Sequence, residues 1–238
     1  MRVMTALSRN SVLRLGILLL LAAGFGELRA QETSGTNSPA LVPLKLNLPA
    51  PVFSGTPKDI PAGVNVEPAP ATPPPPLMVP KDVRNLAPGT KITSSDHGVS
   101  AASLAKITDG NKEVTENGAA ILRKGLQWVQ FDLGTSNDIY AIAIWHAHDA
   151  AKVYRSVIVQ VSDDPDFGDS AKTLFNNDSD NSAGLGIGTN RQYFETYQGK
   201  VIDAHGARSR YVRLYSHGST ESALNEYTEV EIYGRPAK

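Results

Sequence analysis

Three consecutive segments between residues 128 and 162 constrain the fold most strongly. In the first, apolar side chains alternate with polar ones, and the run closes at a glycine that is free to turn: Val129, Phe131, Leu133 and Gly134. The third alternates in the same way, with Val153, Val157, Val159 and Val161 on one side and Ser156, Gln160 and Ser162 on the other. The middle segment, residues 139–148, is apolar on both faces, which is typical of a central strand. Together they predict three consecutive antiparallel strands.

Shorter segments extend this pattern on both sides. Residues 91–95 predict an edge strand, and residues 101–107 predict a short helix or turn. Near the C-terminus, residues 211–215 direct Val212 and Leu214 inward, and residues 227–233 direct Val230 and Ile232 inward. Long helical periodicity is absent. The expected fold class is therefore all-β, an antiparallel β-sandwich of the jelly-roll kind.

The first 80 residues have a different composition from the rest. Arg2, Arg9 and Arg14 precede an apolar run at residues 15–25, which predicts a secretory signal over residues 1–30, cleaved after Ala30. The alternative, a retained membrane anchor, needs a run of about 20 apolar residues. Residues 31–80 are rich in Pro, Ala, Ser and Thr and predict a disordered linker. One domain follows at residues 81–238, in a secreted or periplasmic protein with no transmembrane anchor after cleavage.

Composition excludes several partners and restraints. The chain has no cysteine, so disulfides cannot stabilise it. Its formal net charge is -1, and no Lys/Arg-rich patch is interleaved with aromatics, so nucleic acid is not expected as a partner.

Six motifs in order resemble a known family. They are ITDGNKE (residues 107–113), QWVQFDLG (residues 127–134), a strand ending in Trp145, VIVQVSDD (residues 157–164), RYVRLY (residues 210–215) and EVEIYG (residues 229–234). This order resembles the discoidin or coagulation-factor type C domain, a galactose-binding-like jelly roll whose relatives include the family 32 carbohydrate-binding modules. The resemblance covers nearly all of residues 81–238. It implies an exported binding module for carbohydrate or a cell-surface glycan.

The resemblance also implies a structural calcium ion at the DGN turn. Its ligands would be the side chains of Asp109, Asn111 and Glu229 and the backbone carbonyls of Lys106 and Thr228, with Glu231 as an alternative to Glu229. Hard oxygen donors of this kind suit calcium. Val114 stands where the family commonly has a hydroxyl residue. The alternative is a turn held by its own hydrogen bonds.

A second constellation follows Trp145. His146 and His148 are two residues apart, so an extended strand directs both to the same side, and Arg155 returns near the same end. The resemblance implies that such a His and Arg bind sugar hydroxyls beside a stacking ring. The expected ligand-binding set is His146, His148, Tyr154, Arg155, Asn225 and Tyr227. Two alternatives stay open: a transition-metal site at the His-X-His pair, or polar residues that only decorate a sheet edge.

The segment 176–199 is longer than a sandwich connection requires. It carries Asp178 and Asp180 at alternating positions, three glycines, and Arg191 and Tyr193 as candidate contacts. A lid, a second calcium loop and a self-capped Ω-loop are the alternatives, and we favour the last.

No catalytic motif is present: a Gly-X-Ser-X-Gly elbow, a cysteine nucleophile and a His-Glu-X-X-His helix are all missing. We therefore expect a noncatalytic module rather than an enzyme. A protein-interaction or assembly domain that uses the same loops is the alternative function.

Overall fold

A computed structural model describes residues 40–52, 65–68, 74–115 and 117–237. The predicted signal at residues 1–30 lies outside the described residues, as do residues 31–39, 53–64 and 69–73 of the predicted linker. The strands are β1 (Leu41–Pro43), β2 (Met78–Pro80), β3 (Arg84–Asn85), β4 (Lys91–Ser94), β5 (Ala120–Leu122), β6 (Gln127–His146), β7 (Ile158–Ser162), β8 (Lys172–Asn176), β9 (Lys200–Ser216) and β10 (Asn225–Pro236). One short helix, α1 (Ala101–Ala105), begins after Ser100, whose hydroxyl accepts from Ser103 N, and a 3-10 turn (Lys106–Thr108) continues it. No described helix has the length and apolar character to cross a membrane.

Two long strands connect the two layers of the fold. Residues 127–132 of β6 pair with β4 and with the second half of β9, and β9 continues through β7 to β8. Residues 137–146 of β6 pair with the first half of β9 and with β10, whose outer edge carries β3 and β5. Every pairing among these strands is antiparallel. The register of β6 shifts between Asp132 and Asn137, where Gly134 has φ 80 and donates its N–H to Asp132 Oδ1.

The inward faces of the two layers form one hydrophobic core. Phe131, Val159 and Leu214 come from one layer, and Ile144 and Val230 come from the other; all five belong to a single buried cluster. Burying a side chain of this size contributes about 1.5–3 kcal/mol. The expected all-β antiparallel sandwich is confirmed.

The predicted strands differ from the observed ones at two joints. The first two predicted strands are a single strand, β6, because Gly134 bends the chain without ending the pairing. The third begins at Ile158 and not at Val153, since Ser156 has φ 48 and Tyr154 pairs with Ser219. The central position of the second half of β6, the edge strand near residue 91 and the short helix are confirmed.

Parts of the predicted linker are ordered. β1 and β2 pair antiparallel with each other, which differs from the expectation of a structureless segment. Val66 forms a parallel bridge with Gln192, and the Glu67 carboxylate lies 2.8 Å from Lys200 Nζ. These described residues therefore belong to the folded unit, although their composition predicts disorder.

Candidate functional site

His146 lies in the interior of the sandwich. Its ring has no exposed surface, and Nδ1 lies 2.6 Å from Oε1 of Glu195, which is also enclosed. The ring stacks on Tyr154 at 4.2 Å between centroids and meets Tyr227 at 4.7 Å. A surface ligand cannot reach an atom with no exposed surface, so the predicted direct contacts of His146, Tyr154 and Tyr227 are corrected. These three residues do lie together, as a buried support.

The buried phenols around His146 are held neutral. Burial raises the pKa of Tyr154, Tyr193 and Tyr227 well above the ordinary value for a tyrosine. The Tyr154 hydroxyl donates to Glu226 Oε2 at 3.2 Å, which ties this cluster to β10. The cluster can therefore carry hydrogen bonds but no phenolate chemistry at physiological pH.

Asn225 is a structural tie and not a contact residue. Its Nδ2 donates to the carbonyl oxygens of Arg123 and Gly125 at 2.8 and 3.0 Å, and its Oδ1 accepts from Gly218 N at 2.8 Å. The side chain is fully buried, so its predicted sugar contact is also corrected. It joins the turn at residues 123–125 to the loop that follows β9.

His148 does not form the alternative metal site with His146. Its Nδ1 lies 3.2 Å from the His146 carbonyl oxygen, and only 1% of the residue is exposed. His146 Nδ1 already faces Glu195. Within the described ranges, no group of three or more His, Cys, Asp or Glu side chains could hold a metal ion. The His-X-His spacing therefore reflects core packing.

Arg155 is the one predicted contact that the structure exposes. Backbone hydrogen bonds fix it against the segment after β9, from Arg155 N to Gly218 O at 3.0 Å and from His217 N to Arg155 O at 2.8 Å. The following residue, Ser156, adopts a left-handed conformation, a strain that is common beside binding sites. The Arg155 guanidinium forms no hydrogen bond or ion pair with another described residue.

Arg155 borders a cleft of about 710 Å³ at one end of the sandwich. Most of the described residues that line the cleft have polar side chains, and none of them is Phe, Tyr or Trp. Its lining includes Lys124, Arg155, Asp178, Asp180, Gln192 and His217. Lys124, Gln192 and His217 were missed in the sequence. The antiparallel pairing of β7 with β9 was the available signal for His217, because it brings the residue after β9 beside the residues before β7.

The loop that follows β8 forms one wall of the cleft and is held by its own polar side chains. Asp178 accepts hydrogen bonds from Ser182 N, Ala183 N and the hydroxyls of Ser182 and Ser156. Asn176 Nδ2 donates to the Gly186 carbonyl at 3.0 Å. This is the self-capped arrangement that we favoured. With four donors on the Asp178 carboxylate, a second calcium loop has no support.

The two candidate contacts at the end of this segment are not among the described residues that line the cleft. Arg191 Nε donates to Asn65 Oδ1 at 2.9 Å, and Tyr193 is 5% exposed. Tyr193 packs edge-on against Phe175. Both residues hold the segment in place.

The DGN turn meets β10 as the resemblance implies, and one side-chain oxygen of each of Asp109, Asn111 and Glu229 already accepts a backbone hydrogen bond. Asp109 Oδ1 accepts from Asn111 N at 2.8 Å, and Asn111 Oδ1 accepts from Glu113 N at 3.0 Å. Glu229 Oε2 accepts from Gly110 N at 3.1 Å. Calcium takes six to eight oxygen ligands. The set implied by the resemblance, with Val114 in place of a hydroxyl residue, does not fit a calcium site of that kind.

Glu229 nevertheless lies in an unusual environment. Burial raises its pKa to about 8, while the Gly110 N–H and the charge of Lys112 oppose that rise. Glu231 and Asp109 raise it further. The folded domain therefore disfavours the ionised form of the Glu229 carboxyl.

Comparison with known proteins establishes no family for this chain. No family model matches the sequence, and no curated protein matches it. One similar solved structure is a family 89 glycoside hydrolase from Clostridium perfringens in complex with 2-acetamido-1,2-dideoxynojirmycin, at 16% identity and TM-score 0.47. The match covers 64% of this chain but only 15% of the length of that one.

Two further solved structures are similar over about the same part of the chain. One is the CBM32 of AlyQ in complex with 4,5-unsaturated mannuronic acid, at 18% identity and TM-score 0.43, covering 60% of this chain and 92% of that one. The other is a fucolectin from serum of the striped bass Morone saxatilis, at 16% identity and TM-score 0.46, covering 65% and 48%. At these values the similarity carries no conclusion about what this chain binds.

Proposed function

We propose that this protein is an exported, noncatalytic carbohydrate-binding module whose binding surface is the cleft beside Arg155. The support comes from the six ordered motifs, the sandwich that they predict, and the polar cleft at one end of it. Carbohydrate is a neutral, hydroxyl-rich ligand, and a wall of amide, hydroxyl, guanidinium and imidazole groups matches its hydrogen-bonding capacity.

The exposed guanidinium of Arg155 is the observation that carries this proposal. Its five N–H donors have no partner among the described residues, while its backbone is fixed on both sides by β-type hydrogen bonds. Because its backbone is already fixed, only the rotamers of the Arg155 side chain must be ordered when a ligand binds. His217 and Gln192 line the same cleft and add donors and acceptors.

The affinity should be low. Because no Phe, Tyr or Trp lines the cleft among the described residues, a sugar gains hydrogen bonds there but no stacking contact. A small polar site of this kind corresponds to a dissociation constant of about 1 mM. The resemblance implies a stacking ring, and Tyr227, which we predicted for that role, is enclosed.

A glycan array, with calcium and with a chelator, tests the proposal. The sugars retained on the array are then titrated against the wild type, Arg155→Ala and the control Arg208→Ala by NMR. Arg208 is an exposed arginine that pairs with Asp138, so its loss removes the same charge away from the cleft. We expect Arg155→Ala to weaken binding at least about tenfold, because it removes one charged group that hydrogen-bonds to the ligand. Arg208→Ala should bind like the wild type.

Three results would count against the proposal. Equal affinities for Arg155→Ala and the wild type would show that the cleft is not the binding surface. A flat array combined with specific capture of a protein would favour the interaction-domain alternative. Release of sugar products from a retained oligosaccharide, detected by mass spectrometry, would contradict the noncatalytic assignment.

A further inference from the structure

Lys112 places a buried ammonium group in the turn where the resemblance implies calcium. The residue is 5% exposed, and its Nζ lies 2.7 Å from Glu231 Oε1. The same nitrogen lies 4.9 Å from the centroid of the Trp145 ring. A lysine this deeply buried is rare unless an opposite charge accompanies it.

Two carboxylates of β10 share this interior position. Glu231 is 7% exposed, and its second oxygen accepts from the Tyr233 hydroxyl at 2.9 Å. Glu229 is 1% exposed and accepts from Gly110 N. Two buried carboxylates repel each other unless a positive charge lies between or beside them. Lys112 pairs directly with Glu231, and Glu229 lies two residues before Glu231 on the same strand.

The two polar side chains of the turn, Asp109 and Asn111, each use one oxygen on a backbone donor. Asp109 and Asn111 are exposed, and each caps an N–H group two residues further along the chain. An ammonium group needs only three acceptors, whereas a calcium ion needs six to eight. The oxygen atoms around this turn therefore suit the ammonium group of Lys112 better than a free divalent cation.

We infer that the ammonium group of Lys112 takes the place of a bound cation in this turn, so that the domain reaches full stability without calcium. The positive charge is supplied by the chain itself, and it joins the turn after the 3-10 helix to β10. This inference concerns the turn alone and does not depend on what the cleft binds.

Thermal unfolding of the full chain tests the inference. The wild type is melted in excess EDTA and in millimolar calcium chloride, followed by circular dichroism, and should give the same melting temperature in both. A calcium site at about 100 times its dissociation constant would instead raise the melting temperature by several degrees. Such a rise, reversed by EDTA, would overturn the inference.

Substitution of the lysine provides a second arm. Lys112→Met should lower the melting temperature by roughly 10 °C, because it leaves buried carboxylates without their partner. The matched control is Lys106→Met, which removes a lysine from the same turn that donates to the Asn117 carbonyl and not to a carboxylate. Equal melting temperatures for the two variants would contradict the role of Lys112.

A double variant keeps the test decisive if Lys112→Met fails to fold. Lys112→Met combined with Glu231→Gln removes both charges of the pair and leaves an acceptor for the Tyr233 hydroxyl. It should recover at least half of the loss, since removal of both partners costs less than removal of one. A double variant that melts no higher than Lys112→Met would contradict the pairing.

Discussion

The pairing of His146 with Glu195 shows what a buried polar side chain contributes in this domain. The two residues are 49 positions apart, and their contact joins β6 to the segment before β9. Glu195 Oε2 and His146 Nε2 have no hydrogen-bond partner within the described chain. The pair therefore depends on its one short contact and on ring stacking with Tyr154.

His146→Ala should destabilise the domain without weakening sugar binding by folded molecules. The substitution leaves the Glu195 carboxylate buried without its partner, which costs about 3 kcal/mol or more in the free energy of unfolding. Urea unfolding measures this cost, and NMR titration at low temperature measures binding. His97→Ala, at an exposed histidine, is the control. Lost binding with unchanged stability would restore His146 as a contact residue.

Asp96 should make the domain sensitive to acid. The backbone N–H of Arg123 holds the pKa of this carboxyl below its ordinary value of 3.8, against the opposing effect of burial, and Gly98 N–H and the Arg123 guanidinium add to the lowering. A lowered folded pKa gives a stabilisation that is present above the unfolded value and is lost as pH falls through the folded value.

Asp96→Asn should therefore be less stable than the wild type at neutral pH, and the difference should narrow below about pH 4. Chemical unfolding at a series of pH values measures it as a difference in unfolding free energy. If that difference did not change with pH, ionisation of Asp96 would make no contribution.

Among the connecting segments, the loop after β8 is ordered by one carboxylate. Asp178 receives four hydrogen bonds, and two of its donors are backbone N–H groups in the same loop. The loop also forms a wall of the cleft. The loop should therefore be able to open while the sandwich stays folded, because the pairing of the strands does not depend on the loop.

Asp178→Ala should loosen this loop while the sandwich stays folded. We expect amide hydrogen exchange at residues 178–188 to accelerate at least about tenfold, because each lost hydrogen bond contributes about 1 kcal/mol or more. Exchange in β6 and β9 should stay slow. The control is Asp169→Ala, at an exposed aspartate near β8. Uniform acceleration across β6 would show that the loop is needed for the fold itself.

Across the folded unit, the described segments before residue 81 add contacts that lie outside the predicted domain boundary. Val79 is 3% exposed and Val66 is 8% exposed, and Glu67 pairs with Lys200. Lys200 in turn lies over the rings of Phe175 and Tyr193. These segments therefore cover part of the sandwich.

A chain that begins at residue 81 should melt several degrees below one that begins at residue 40. The shorter chain loses two buried valines, each contributing about 1.5 kcal/mol or more, and one ion pair. Differential scanning calorimetry of both chains measures the difference. Identical melting temperatures would support the predicted linker over residues 31–80.

The strands could be predicted because the alternation of apolar and polar side chains is a local property of the sequence. Burial of individual polar residues could not be predicted in this way. His146 alternates as a strand residue on a solvated face would, yet Glu195 and the rings of Tyr154 and Tyr227 enclose it. Pairing of β1 with β2 likewise depends on residues distant in the chain. Arg155, which the resemblance places at the start of the next strand, is exposed in the structure.

Main-chain pairing of Arg155 with residues 217 and 218 separates the frame of the cleft from the groups that select a ligand. Because main-chain hydrogen bonds and the buried Asn225 side chain set this spacing, the side chains at positions 124, 155, 192 and 217 can be exchanged while the framework persists. Substitutions at these positions can therefore change which ligand the protein prefers with little loss of folding stability. A library randomised at those four positions would draw on the same freedom.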